Sequence, residues 1–118
     1  ILSFMPHMHL RGKAALYEIT YPDGRHETLL HVPKYEFNWQ HSYAFREPVL
    51  APKGSVLRFT LWWDNSEDNP NNPDPSIDVR WGRPTHAEMS QGYMSFQTLD
   101  ERHIVVGEPL PEDLRVRR

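Results

Sequence analysis

At 118 residues the chain has the length of one domain, or of a piece of a larger protein, and is long enough to bury a core without staples. Its net charge is −3 with both signs interspersed, which argues against nucleic acid or an anionic membrane as the main partner. It has no cysteine, which excludes disulfides, zinc–thiolate sites and thiol nucleophiles, and no apolar run approaches the ~18 residues that a membrane span needs.

The chain begins at Ile1, directly in a strand-like run, as expected of a domain excised from a longer protein. Ser3 to Leu10 reads as a strand, with Pro6 pointing to an edge position or a bulge. Lys13 to Tyr21 is a second strand and His26 to Val32 a third. Pro22-Asp23-Gly24-Arg25 between them is a turn, so the pair forms a hairpin. Tyr35 to Phe45 alternates Tyr35, Phe37 and Trp39 against Glu36, Asn38 and Gln40, the pattern of a half-buried strand.

Pro48 to Pro52 reads as a short extended piece and Lys53-Gly54 as a turn. Ser55 to Asp64 is nearly continuous in bulky residues, which predicts a strand covered on both faces. Asn65 to Ser76 is irregular, broken by Asn-Pro and Asp-Pro steps. Its oxygen-rich side chains are compatible with a calcium site, but without EF-hand spacing a turn-rich loop is the better reading. Ile77 to Trp81 predicts a brief strand, and Thr85 to Glu88 a single turn closed by a Thr-x-x-Glu capping box. Met89 to Leu99 returns to strand. The whole is expected to be all-β, an antiparallel jelly-roll-like sandwich over residues 1–106, followed by a polar tail over 107–118.

The chemistry concentrates at two stretches. In Phe4-Met5-Pro6-His7-Met8-His9-Leu10-Arg11-Gly12, an extended backbone sends His7 and His9 to the same face, close enough to share one ion. Met89 offers a soft thioether downstream, and Met89, Gln91 and Tyr93 share a face by the same period. Two imidazoles and a thioether favour copper, because sulfur suits Cu(I) while imidazole serves both oxidation states. Two polar residues of an ordinary strand and a core methionine have the same spacing. His86 reads best as a surface residue, ahead of a group that supports a metal ligand or a pocket acid–base group. Asn38, Trp39 and Gln40 fit strand core and surface as well as they fit a pocket.

His7-Met8-His9-Leu10-Arg11-Gly12 resembles the His-x-His-x-x-Gly motif of the copper type II, ascorbate-dependent monooxygenases. Gly82-x-x-Thr85-x-x-Glu88-Met89 resembles that family's Gly-x-x-(Ser/Thr)-x-x-Glu-Met-Cys, and Gly54 its turn before a strand. The likeness spans about residues 4 to 96 and is to the family's C-terminal catalytic domain. It implies a copper, Cu(I)/Cu(II), on His7, His9 and Met89, with Tyr93 and Gln91 lining the pocket of a small organic substrate. It further implies O₂ as co-substrate, ascorbate as reductant, an extracytoplasmic location, and an upstream domain carrying a second copper. Nucleic acid and membrane are not expected partners.

The sequence also departs from the family. Met5 stands where the peptide-amidating members carry an arginine that grips a substrate carboxylate, and this argues against a glycine-extended peptide as substrate. Ser90 replaces the cysteine after the methionine, and the other histidines (His26, His31, His41, His86 and His103) do not show the pattern of the second copper site. A copper-retaining or copper-handling module without oxygenation is therefore the first rival. An interaction sandwich with a vestigial site is the second.

Overall fold

The computed structural model describes residues 1–99. The expected tail at 107–118, the domain limit at 106 and His103 lie outside the described residues. Six strands form and no helix does among the described residues: β1 (Ser3–His7), β2 (Gly12–Thr20), β3 (His26–Val32), β4 (Tyr43–Ala44), β5 (Val56–Trp63) and β6 (Gln91–Ser95). They make two three-stranded antiparallel sheets, ordered β4-β1-β6 and β3-β2-β5. The fold is an all-β sandwich.

Strand periodicity builds the interior. Phe4, Pro6 and Met8 alternate inward from the first sheet, and Ala15, Tyr17 and Ile19 do so from the second; all six are buried. Phe4 stacks on Tyr17 at 4.2 Å between ring centroids, and Phe59 leans on Tyr17 at 5.1 Å. Met8, Ala15, Val32 and Tyr35 form a core cluster ringed by Leu30, Phe37, Tyr43 and Leu61. At Gly92 on β6 a Cβ would stand 2.7 Å from the Phe59 ring, so the bare backbone lets the two sheets meet there.

The β2–β3 hairpin closes as its sequence predicts. Gly24 takes φ +87°, its N–H bonds Tyr21 O at 2.9 Å, and Asp23 accepts the Arg25 N–H at 3.0 Å. Pro6 is tolerated in a middle strand because β4 pairs only with Ser3 and Phe4, so no β4 residue stands beside it.

Five strand expectations need correction, the first being Ser3 to Leu10, which is a strand only over Ser3–His7. Tyr35 to Phe45 is a strand only at Tyr43–Ala44. The rest turns, with Trp39 N–H bonding Glu36 O at 3.0 Å and the Glu36 carboxylate accepting from Asn38, local bonds that replace a ladder. The bulky Ser55-to-Asp64 run is an edge strand and not one covered on both faces: Val56 and Trp62 are 62% and 42% exposed, and Phe59 and Leu61 supply the inward contacts. Ile77 to Trp81 forms no strand, only an isolated bridge from Trp81 to Glu88. The last strand begins at Gln91 and ends at Ser95, two residues later and four earlier than its hydrophobic pattern suggests.

Candidate functional site

His7 ends β1 opposite Gln91 of β6. The paired register ends at that position, two residues short of His9 and Met89. Beyond it the two segments meet through side chains: His9 N–H donates to Glu88 Oε2 at 2.8 Å, and His9 Nδ1 meets Ala87 O at 3.0 Å. Side chains directly opposite in an antiparallel pair share a face. His7, Gln91 and Tyr93 therefore share the outer face of the first sheet, with His9 beside His7 but buried, while Pro6, Met8 and Gly92 face the core. The imidazoles of His7 and His9 lie 5.2 Å apart between centroids, nearly perpendicular. Tyr93, half exposed, lies 6.4 Å from the His7 ring, and its hydroxyl donates to Gln91 Oε1.

Both rings have a defined tautomer. Gln40 Nε2 donates to Phe37 O at 2.9 Å, which turns Gln40 Oε1 toward His7 Nδ1 at 2.6 Å. That oxygen can only accept, so His7 carries its proton on Nδ1. The Ala87 carbonyl imposes the same tautomer on His9. Each Nε2 is then the lone-pair nitrogen, and neither has a protein hydrogen-bond partner among the described residues.

Backbone around the histidines is held by side chains, because it leaves the ladder after His7. The Tyr35 hydroxyl donates to Met8 O at 2.7 Å and accepts from Met8 N–H at 3.1 Å. Burial pushes the Tyr35 hydroxyl up to about 12. At Gly12 a Cβ would sit 2.6 Å from the Tyr35 ring, so the motif's glycine is the seat for that ring. Glu88 accepts His9 N–H, Arg11 N–H at 2.7 Å and Trp63 Nε1–H at 3.1 Å. It makes no capping box: its N–H bonds Arg80 O at 3.0 Å, and its carboxylate bridges to the ends of β1 and β5.

Arg11 is fully buried and clasps the irregular segment. Its guanidinium donates to Asn65 Oδ1 at 2.7 Å, to His86 O at 2.7 Å and to Asp74 O at 3.3 Å. Asp64 Oδ1 and Asp74 Oδ1 accept from the backbone N–H and hydroxyl of Ser66 and Ser76, and Asp64 Oδ2 accepts from Lys13. The Ser66 bonds, helped by Lys13, hold the Asp64 carboxyl down at about 2. The segment is thus a turn-rich loop tied to the fold. The His86 side chain is exposed, and of the three residues Asn38, Trp39 and Gln40 only Gln40 reaches a histidine of the site; Trp39 is exposed and packs on His41.

With a metal–nitrogen bond of ~2.0–2.1 Å, two imidazoles sharing one ion through Nε2 at a near-tetrahedral angle have centroids roughly 5 Å apart. The observed 5.2 Å fits that separation. No three His, Asp or Glu side chains form a metal-binding group among the described residues. A metal held by His7 and His9 therefore needs a ligand of another kind; Met89 follows Glu88 in the chain, and the Glu88 carboxylate bonds His9 N–H. Tyr35, Gln40, Trp63 and Glu88 act around the histidines from positions that local sequence patterns do not connect to them. Comparison with protein-family models, curated proteins and solved structures finds no match.

Proposed function

We propose that the chain is the copper-binding domain of a protein like the type II copper, ascorbate-dependent monooxygenases, with His7, His9 and Met89 as ligands. One observation carries this reading above the others. Two acceptors from different parts of the fold, Gln40 Oε1 and Ala87 O, fix both imidazoles in the tautomer that frees Nε2. When bound, copper supplies the one-electron chemistry by which the resembled family uses O₂ to hydroxylate a C–H bond. The residues of this chain do the rest. His7 and His9 hold the ion in either oxidation state, and the Met89 thioether favours Cu(I). Gln91 and Tyr93, joined by their hydrogen bond, present an amide and a phenol beside His7 to orient a small organic substrate. Ascorbate and an upstream domain with a second copper complete the reading, together with an extracytoplasmic setting.

A copper-retaining module is the second reading. It is favoured by the open position of Tyr93 beside His7 and by the absence of a second histidine cluster among the described residues. The test is a competitive Cu(I) and Cu(II) titration of wild type, Met89→Ala and His7→Ala/His9→Ala. One tight Cu(I) equivalent is expected. Loss of Met89 should weaken Cu(I) by roughly tenfold or more and Cu(II) far less, and loss of both histidines should abolish both. Absence of tight binding in wild type leaves only an interaction sandwich. Tight binding without ascorbate-driven substrate hydroxylation, even with the parent protein's upstream region restored, selects the copper-retaining module.

A further inference from the structure

Glu88 is a buried carboxylate that the proposed chemistry does not use. It bonds three N–H donors from three places: His9 N at 2.8 Å, Arg11 N at 2.7 Å and Trp63 Nε1 at 3.1 Å. No cation forms an ion pair with it among the described residues, so these N–H groups are what compensate its desolvation. Its own backbone is fixed as well: the N–H bonds Arg80 O and the carbonyl accepts Gly82 N–H, each at 3.0 Å. The next residue in the chain is Met89.

We infer that Glu88 is the positioning residue of the site, the rigid bridge that sets the separation between the His9 imidazole and the Met89 sulfur. The inference rests on the copper reading above. Its side chain grips the backbone of one ligand while its main chain carries the other, across a sequence separation of 79 residues. The three donors engage both oxygens, Oε2 twice and Oε1 once, and an amide cannot replace the carboxylate. A glutamine turned to serve His9 and Trp63 directs its NH₂ at the Arg11 N–H, donor against donor. Loosening this grip frees Met89 from His9 and leaves the His7–His9 pair in place. The consequence is specific: Cu(I) suffers more than Cu(II), because the ligand set loses its soft member.

The experiment compares wild type, Glu88→Gln, Trp63→Phe and the core variant Ile19→Val in the full chain. Three readouts are taken: the ratio of Cu(I) to Cu(II) affinity, copper–sulfur scattering in X-ray absorption, and amide hydrogen exchange of the metal-free protein. Supporting partners of metal ligands are worth roughly 10–100-fold in affinity, so Glu88→Gln should lower the ratio at least about tenfold and erase the sulfur shell. Trp63→Phe keeps two of the three donors and should lower the ratio by a few-fold. Ile19→Val should reduce thermal stability and leave the ratio unchanged. Without metal, Glu88→Gln should speed exchange at His9 and Arg11 while the β2–β3 amides keep their protection. If wild type binds no copper, the copper reading fails and takes the positioning role with it. If wild type binds and Glu88→Gln keeps both ratio and sulfur shell, Glu88 is merely structural and the copper reading stands. If Glu88→Gln does not fold, an unchanged ratio in Trp63→Phe overturns the inference and a lowered one supports it.

Discussion

Replacing Tyr35 by phenylalanine removes one oxygen and keeps the ring on Gly12. That oxygen donates to Met8 O at 2.7 Å and accepts from Met8 N–H at 3.1 Å, both in the interior. Leaving a buried backbone group unpaired costs ~1–3 kcal/mol, so two orphaned groups with some relaxation come to about 2–4 kcal/mol. This is a large share of the ~5–15 kcal/mol that holds a domain folded. The hydroxyl also gives stability a pH dependence. Burial raises Tyr35 to about 12 in the folded protein, against ~10 in the unfolded chain. The unfolded chain therefore releases its proton first as pH rises. The contribution is whole below pH ~10 and is lost between ~10 and ~12, roughly 2–3 kcal/mol for a shift of this size. Tyr17, raised by burial in the same direction, adds to the alkaline loss and is unaffected by the substitution. Urea unfolding followed by tryptophan fluorescence at pH 7, 10 and 11.5 gives both quantities. Tyr35→Phe should be less stable at pH 7 and lose less between pH 10 and 11.5 than wild type. A cost below about 0.5 kcal/mol at pH 7, or an unchanged alkaline slope, would refute the role given to the Met8 bridge.

Arg11→Met should destabilise by about 2–4 kcal/mol, since it leaves the carbonyls of His86 and Asp74 without their side-chain donor and Asn65 Oδ1 with Asn72 alone. Limited proteolysis should then cut first between residues 65 and 76, and Arg11→Lys should rescue little, because an ammonium lacks the planar fork that reaches three acceptors. Gly92→Ala forces a Cβ to within 2.7 Å of Phe59 and should cost ~1–3 kcal/mol. Phe59→Leu in the same chain should recover part of that loss, and additive costs in the double variant would show that the two sheets do not meet there.

The strands were legible where one physical signal acted alone. His26 to Val32 is read to the residue, bounded by a turn with the required glycine and by Pro33. Ser55 to Asp64 shrinks by one residue at each end. Reading fails where side chains compete with the ladder. Tyr35 to Phe45 has the right alternation, but the Tyr35 hydroxyl is drawn to Met8, and Glu36 and Gln40 satisfy backbone groups nearby. Glu88 is read as a local cap because Thr85 stands three residues before it, whereas its partners lie 25 to 79 residues away. The same holds for the site. That His7 and His9 share a face follows from a period of two, but the groups that set their tautomers arrive through long-range contacts, 33 and 78 residues distant, which no local pattern encodes.

One strand carries both the core and the site, and this couples them. Along Pro6-His7-Met8-His9 the period of two sends Pro6 and Met8 to the core and His7 and His9 to the other face, where His9 is itself covered, so a register slip of one residue would carry His7 inward and Met8 outward. The slip is blocked at two points beyond the strand's own ladder. Tyr35 pins Met8 by both its backbone groups, and Glu88 pins His9 and Arg11. Each of these side chains is itself fixed, Tyr35 against Gly12 and Glu88 by Trp63. The outer-face geometry thus depends on contacts made in the interior. A packing change at Gly12 or Tyr35 moves the histidines without touching them. The His-x-His-x-x-Gly spacing consequently works as one unit: the glycine admits the ring that holds the backbone between the two imidazoles.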